Sequence, residues 1–508
     1  MASPLSPSQP RPVSADRAAP DGLHLWLARR RQWSPVEIVV ALTVLGGILR
    51  FATLNVSSIE LDESATLILV HRGFSGMLSH IGRSESTPPL YYILVWAWTR
   101  VFGASPVGFR SMSALIGTIT IPVMYLAGRQ ISPRVGVWAA ILTTVSPSMY
   151  FFSQEARTYG LLVLFSAAAF VAWQRALRDP GRRYLALWAL MSSLAVLAHY
   201  FGAFLFISEA LVLIRRLGWR RLWAPIGAVV LVGLALAPLA IAQRTDNKTS
   251  WIEAQSLPRR IAESIKMFTV GVYGPLVLFA LVIALLIAAC AVVLVVRRGN
   301  ERERNGARDA AIVAFGAIAL PLVLAVTHLV DVYDGRNVLA FWVPLAVLIA
   351  IGLGAEQARR SGALLGGALC AIYLVMIVAA NAIPDYQRDN WRGIAHTLAK
   401  PTTARLIIAE AHAVLPLSIY MGPLSSVSAA VPSVHEVDFV AVRHLRTVGP
   451  PQAAFVPSSP PTGFHLAGVT RKETFAISRF VAASPTAPTT MQLVRLSAIG
   501  NAEAILQR

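Results

Sequence analysis

The stretch Thr87-Pro88-Pro89-Leu90-Tyr91-Tyr92-Ile93-Leu94-Val95-Trp96-Ala97-Trp98-Thr99-Arg100-Val101-Phe102-Gly103 decides the fold, because the topology of everything after it depends on whether it crosses a bilayer. From Pro88 it runs for about 16 residues, below the floor of about 17 that a span needs. It also opens on two prolines and carries Arg100. It therefore reads as an interfacial or re-entrant helix. The arginines test that reading. With residues 88–103 not crossing, helices at about 107–128, 134–152, 160–174, 184–199 and 200–214 alternate in direction. Arg129 and Arg134, then Arg175, Arg178, Arg182 and Arg183, then Arg215, Arg216, Arg220 and Arg221 then all fall in the cytoplasm. Counting residues 88–103 as a crossing puts every one of those clusters outside, against the charge bias that orients membrane proteins.

Composition agrees. The 508 residues are 55% hydrophobic and 14% charged, with mean hydropathy +0.59; soluble domains carry about 25% charged residues. The net charge of +19 is spread in short clusters between apolar runs, a pattern that binds anionic membrane lipid and excludes a nucleic-acid partner. Cys290 and Cys370 lie inside apolar runs, so no disulfide framework is read. Residues 1–34 are expected to be a disordered cytoplasmic leader: Pro, Ser and Ala dominate, no signal-peptide core precedes the first long apolar run, and Arg29-Arg30-Arg31 stands just before it. Residues 36–54 form the first span. Later spans are expected at about 222–242, 268–296, 310–330, 337–355 and 362–383. The expected architecture is an all-α polytopic membrane domain over residues 35–383, with about eleven transmembrane helices. A C-terminal α/β extracytoplasmic domain over residues 384–508 follows, where apolar runs shorten and Pro, Ser and Thr become frequent. Its expected elements are a helix starting over Arg392–Leu398 and strands at Arg405–Ala409, Val437–Val442 and Met491–Ser497, with a strand pair within Phe464–Val481.

This topology collects polar residues on the outer face. The first outer loop, Ile59-Glu60-Leu61-Asp62-Glu63-Ser64, holds three carboxylates, which are costly beside a bilayer unless they face water, metal or substrate. The second turn is Ser153-Gln154-Glu155-Ala156-Arg157-Thr158-Tyr159, and the third is His199-Tyr200. Later loops add Arg244, Asp246, Lys248 and Glu253, then Asp331-Val332-Tyr333-Asp334-Gly335-Arg336. A carboxylate within reach of an acceptor hydroxyl is a general base. Arginine forks suit a phosphate leaving group, and paired carboxylates can hold a hard divalent cation. Singly, Glu155 and Arg157 also read as a loop ion pair, His199 as a helix-end histidine, and Arg336 as an interfacial anchor.

The first-loop Asp62-Glu63, the later Thr87-Pro88-Pro89-Leu90-Tyr91-Tyr92, and Phe102-Gly103 leading to Phe109-Arg110 resemble the C-type (GT-C) membrane glycosyltransferases. The resembling branch includes protein O-mannosyltransferases, aminoarabinose transferase and rhizobial lipopolysaccharide sugar transferases, and the likeness covers most of residues 36–400. It implies a polyprenyl-phosphate sugar donor and inversion at the anomeric carbon, with Asp62 at the catalytic acid position and Glu63 at the second acidic position. It maps the second outer turn onto Glu155 and Arg157. One departure stands out: Ser64-Ala65-Thr66 follows the acidic pair where the aminoarabinose branch has a phosphate-holding arginine. Arg157 and Arg336 are the candidates to replace it.

The expectation is a glycosyltransferase of the plasma (inner) membrane. It moves one hexosyl or pentosyl unit from a polyprenyl-phosphate donor to an envelope glycolipid, polysaccharide or protein. Asp62 and Glu63 are its catalytic candidates. Glu155, Arg157, Tyr159, His199, Tyr200 and Arg336 are its substrate-binding candidates, and Asp62 with Glu155 is the candidate metal pair. The rival is a secondary transporter or lipid flippase for an anionic envelope precursor, which would carry its ionisable residues near the bilayer midplane on broken helices.

Overall fold

The computed structural model describes residues 33–245, 250–427, 431–442, 460–488 and 502–507. The expected leader up to residue 32 and the expected strand Met491–Ser497 lie outside the described residues, as do Asp246 and Lys248.

The chain enters the bundle through α1 (Pro35–Ala52), which starts on a capping box between Ser34 and Glu37 with Pro35 in the first turn. Three short helices follow, α2 (Leu61–Val70), α3 (Phe74–Ser84) and α4 (Leu90–Phe102). The 13 residues of α4 give a rise of about 20 Å, short of a bilayer core of about 30 Å. Its Tyr91, Tyr92 and Val95 pack with Leu67, Met77, Phe109 and Met112 in a small core beside the main bundle. The segment that decides the topology is thus a packed surface helix.

The bundle continues with α5 (Pro106–Arg129), α6 (Pro133–Val145), α7 (Pro147–Ser153), α8 (Tyr159–Arg178), α9 (Arg182–Ala198), α10 (Gly202–Leu217) and α11 (Trp219–Thr245). It ends with α12 (Leu257–Val270), α13 (Val277–Arg298), α14 (Glu301–Val326), α15 (Trp342–Gly354) and α16 (Arg359–Ala382). All eleven expected spans fall on helices. By length and composition seven of the described helices can cross a membrane, or eight if the bent pair α6 and α7 counts as one. The helices α9 and α10 have 17 and 16 residues, and α15 only 13. The expected span at 268–296 is broken: α12 ends at Val270, Gly271 has φ +92°, and α13 begins only at Val277.

The 58° bend between α6 and α7 has a traceable cause. Pro147 has no N–H to offer the carbonyl of Thr143 four residues back. Arg50, fully buried in α1, replaces the lost donor: its Nη2 donates to Thr143 O at 2.9 Å, its Nη1 to Gly46 O at 3.0 Å, and its Nε to Ser153 Oγ at 3.0 Å. A Cβ on Gly117 would stand 2.0 Å from Ser153 Oγ, so α5 needs glycine there to approach this corner. The bend carries Gln154 to Thr158 to the end of the bundle where α1 finishes. The arginines at the other end also gather as the parity argument requires, since Arg178 and Arg302 share the carbonyl of Gln130 and Arg134 reaches that of Arg359.

After α16 comes the second domain: α17 (Trp391–Leu398), β1 (Arg405–Glu410), α18 (Val414–Met421), β2 (Ser425–Ser426), β3 (Val434–Val442), β4 (His465–Arg471), β5 (Phe475–Thr486) and β6 (Ala502–Gln507). The sheet order is β2-β6-β1-β3-β5-β4, with β1 and β3 parallel and the other pairs antiparallel. Trp391, Ile394, Leu417 and Ile505 bury one sheet face and Val437, Phe439 and Phe480 the other. This domain sits on the first loop. Tyr420 Oη accepts from Ile59 N at 2.8 Å, and Arg392 donates to Asn55 O at 3.0 Å.

Candidate active site

The first turn of α2 holds Asp62 and Glu63, where unpaired N–H groups and the helix dipole favour carboxylates. Adjacent residues on a helix point about 100° apart, and the two carboxylates meet opposite fates.

Glu63 faces inward and is completely buried. Arg110 of α5 grips it bidentately, Nε to Oε1 at 2.8 Å and Nη2 to Oε2 at 2.5 Å, and Arg388 adds Nη1 to Oε2 at 2.8 Å. Backbone N–H groups of Ala156 and Glu60 donate to it at 2.9 and 3.2 Å. The other Arg110 donors go to the carbonyls of Leu54, Ser57 and Ser58. Burial alone would raise the carboxyl, but the two guanidiniums and these hydrogen bonds outweigh it and hold it at about 2. A group this saturated has no lone pair for an incoming proton. Contrary to the expectation that Glu63 shares the catalysis, its geometry is that of a clamp joining α2, α5, the Glu155 turn and the head of the second domain.

Asp62 faces outward and is partly exposed, its Oδ2 accepting from Arg336 Nη1 at 2.8 Å. Arg336 is held in turn by Asp334 at 3.4 Å and by the face of Trp251 at 4.7 Å. Behind this pair lies buried polar matter. Arg157 donates Nη1 to Glu85 Oε2 at 2.6 Å and to Thr66 Oγ1 at 2.9 Å, and Tyr92 Oη donates to the same Glu85 oxygen at 2.7 Å. His199, at the end of α9, accepts at Nδ1 from Phe201 N at 3.2 Å, which leaves the ring hydrogen on Nε2. Burial, then the charges of Arg157 and Arg336, push His199 down to about 3 against an opposing side-chain interaction with Asn337, so the ring stays neutral. The Tyr159 ring lies beside it, tilted by 35° with ring centres 6.0 Å apart. Among the described residues, four buried atoms here have no partner within hydrogen-bonding geometry: Glu85 Oε1, Glu155 Oε2, Arg157 Nε and His199 Nε2. Buried polar atoms are rarely left so, and the cluster makes this the candidate place for another molecule to supply the missing partners.

Residues 86–242 match the family described as dolichyl-phosphate-mannose-protein mannosyltransferase. The backbone matches ArnT from Cupriavidus metallidurans in the apo state with a TM-score of 0.55 at 10% identity, covering 92% of this chain and 100% of that one. The chain has the C-type glycosyltransferase fold. The Saccharomyces cerevisiae Pmt1-Pmt2 complex bound to the sugar donor is similar at a TM-score of 0.29 and 21% identity, over 44% of this chain and 34% of that one. Arabinosyltransferase EmbB from Mycobacterium smegmatis gives 0.42 at 12% identity, over 89% and 48%. No curated protein matches by sequence.

Within this C-type glycosyltransferase fold, Asp62, Glu155, Arg157, Tyr159, His199 and Arg336 are brought together. Tyr200 is not: its hydroxyl donates to Gln243 Oε1 at 2.8 Å, and Gln243 ties α11 to the carbonyl of Thr87 at 3.0 Å. Asp331 is taken by Arg260 at 2.6 and 2.8 Å. Glu85 was missed by sequence reasoning, although it stands two residues before Thr87-Pro88-Pro89. Arg110 was read only as part of the family resemblance. Among the described residues no group of three or more His, Cys, Asp or Glu is gathered to hold a metal ion. The unpartnered Oε2 of Glu155 and the carboxylate of Asp62 can still supply two oxygens to a hard cation that takes its other ligands from water and phosphate.

Burial pushes Glu155 up to about 8; Arg388 opposes this, while the charges of Glu60, Glu63 and Asp62 add to it. Its folded-state value lies above the usual 4.5, so it contributes stability below that range which is lost as pH rises toward 8. Glu155→Gln, which imitates the protonated acid, is expected to remove that alkaline loss. The thermal midpoints of wild type and variant should lie together near pH 4, diverge as pH rises from 4.5 toward 8, and stay apart at pH 9, with the variant higher. Parallel curves over that range would show that Glu155 titrates alike in the folded and unfolded chain.

Proposed function

We propose that the chain is a membrane glycosyltransferase of the plasma (inner) membrane. It transfers one hexosyl or pentosyl unit from a polyprenyl-phosphate donor to a cell-envelope acceptor on the outer face. The observation that carries this reading is the set of unpartnered buried atoms on Glu85, Glu155, Arg157 and His199 behind the accessible Asp62–Arg336 pair. Together they offer a base, cationic donors and neutral donors at one membrane edge. The name of the matching family joins a lipid phosphate to a sugar, which supports a donor of the same kind.

Asp62 removes the proton from an acceptor hydroxyl as that oxygen forms its bond to the anomeric carbon. The bond from that carbon to the donor phosphate breaks on the opposite side, so the configuration inverts. The phosphate keeps the electron pair and is held by Arg336 and the free Nε of Arg157. A phosphate arriving at Arg336 competes with Asp62 for the guanidinium and frees the carboxylate to act. His199 Nε2–H donates to a phosphate or sugar oxygen. A divalent cation on Asp62 and Glu155 would supply charge neutralisation of the phosphate. Because Glu155 must lose its proton to bind it, affinity for the cation would rise with pH.

Mass spectrometry of the envelope from cells with and without the gene is expected to show one sugar missing in the latter. An unchanged envelope would overturn the assignment. Chelation followed by Mg2+ or Mn2+ tests the cation: transfer lost with EDTA and regained with either ion is expected, and Glu155→Gln should raise the ion concentration needed.

A further inference from the structure

About 28 Å from Tyr159 along α8, at the end of the bundle opposite the active site, a cavity of about 400 Å³ opens between α8, α10 and α14. Two guanidiniums stand side by side on its rim, anchored on one atom. Arg178 and Arg302 both donate to the carbonyl of Gln130, Arg302 at 2.8 Å, and Arg178 also reaches Gln130 Oε1 at 3.0 Å. A carbonyl carries no net charge, so it fixes the two forks without neutralising them. A third lining arginine, Arg216, is paired with Asp309, and Glu301 also lines the cavity. The floor holds Gln174, only 8% exposed, whose Oε1 has no hydrogen-bond partner. Its amide can turn to present either donor or acceptor. Trp173 and Leu177 make the floor otherwise apolar.

Two exposed forks tied to one carbonyl beside a buried unpartnered amide suit a tetrahedral oxyanion, since guanidinium pairs with phosphate through parallel hydrogen bonds. We propose that this cavity is a second binding site, for a phosphate monoester group presented at the membrane surface away from the active site. The oxyanion sits between Arg178 and Arg302 and reaches Gln174. This inference does not depend on the reaction assigned to the Asp62 site.

The test uses the full chain in phosphatidylcholine nanodiscs, with phosphatidic acid in the bilayer as one probe and inorganic phosphate in solution as the other. Binding is read by native mass spectrometry and by the shift in thermal midpoint. Arg178→Ala with Arg302→Ala should bind about tenfold or more weakly, the scale of losing charge-assisted hydrogen bonds. Arg182→Ala with Arg183→Ala, which removes equal charge outside the cavity, should bind as wild type. Gln174→Glu, isosteric but anionic, should abolish binding with both arginines in place, so the proposal survives a folding defect in the double variant. Binding of phosphatidic acid alone assigns the site to a lipid headgroup, and of inorganic phosphate alone to a soluble phosphate. Equal loss in the Arg182/Arg183 control, undiminished binding in Gln174→Glu, or no binding of either probe to the wild type overturns the proposal.

Discussion

Asp62→Asn is expected to lower sugar transfer by about a hundred- to ten-thousandfold, the range that a general base contributes, while the protein stays folded in the membrane. The substitution keeps the shape of the side chain and removes its basicity. Folding survives because the ion pair that Asp62 makes with Arg336 is partly exposed, side chains 37% and 27% accessible, and such pairs are worth about 0–1 kcal/mol. The readout is the missing sugar in the envelope of cells carrying only the variant, with the thermal midpoint measured on the same protein. Arg336→Lys is the companion. It keeps one charge and loses the fork, so it should weaken transfer less than Asp62→Asn and raise the donor concentration needed. Near-normal turnover in Asp62→Asn would remove Asp62 from the chemistry.

Much of the fold was readable because its causes are local or additive. Apolar run lengths, Pro88-Pro89 and the alternation of arginine clusters fixed which segments are helices and which end of the bundle each polar turn reaches. The bend at Pro147 was not read, because it depends on Arg50 supplying a donor from another helix. The break at Gly271 was hidden by an apolar run continuing through it. Within the site, sequence brought Asp62, Glu155, Arg157, Tyr159, His199 and Arg336 to one face, since each sits at a helix end whose position parity sets. It could not tell Asp62 from Glu63. That distinction depends on which side of α2 meets Arg110 and Arg388, residues 47 and 325 positions away in the chain. Glu85 escaped for a related reason: it looks like a loop carboxylate until the fold buries it against Arg157 and Tyr92.

Glu63→Gln is expected to fail in folding, where Asp62→Asn fails in chemistry. An amide cannot receive the five donors that converge on the carboxylate, and it leaves Arg110 buried without its counter-charge and Arg388 with Glu60 at 3.6 Å in place of the 2.8 Å pair. Removing one partner of a buried ion pair costs about 3–5 kcal/mol, enough to lower the yield of monodisperse protein sharply and the thermal midpoint by many degrees. Removing Arg388 as well should recover part of the loss, because one of the stranded charges goes with it; the coupling in that double-mutant cycle measures the clamp. The pH dependence supplies an independent sign. The folded carboxyl lies at about 2 against an ordinary 4.5, so its contribution is complete above the ordinary value and is lost as pH falls from there through 2. Wild type should show an acid-induced fall in midpoint over that window, and Glu63→Gln should lack it. If Glu63→Gln instead folds like wild type and is as inactive as Asp62→Asn, Glu63 belongs to the reaction and the clamp assignment fails. If it unfolds while Asp62→Asn does not, the two adjacent carboxylates have separate duties: one holds the turn that carries Glu155 and Arg157, and the other works on what that turn positions.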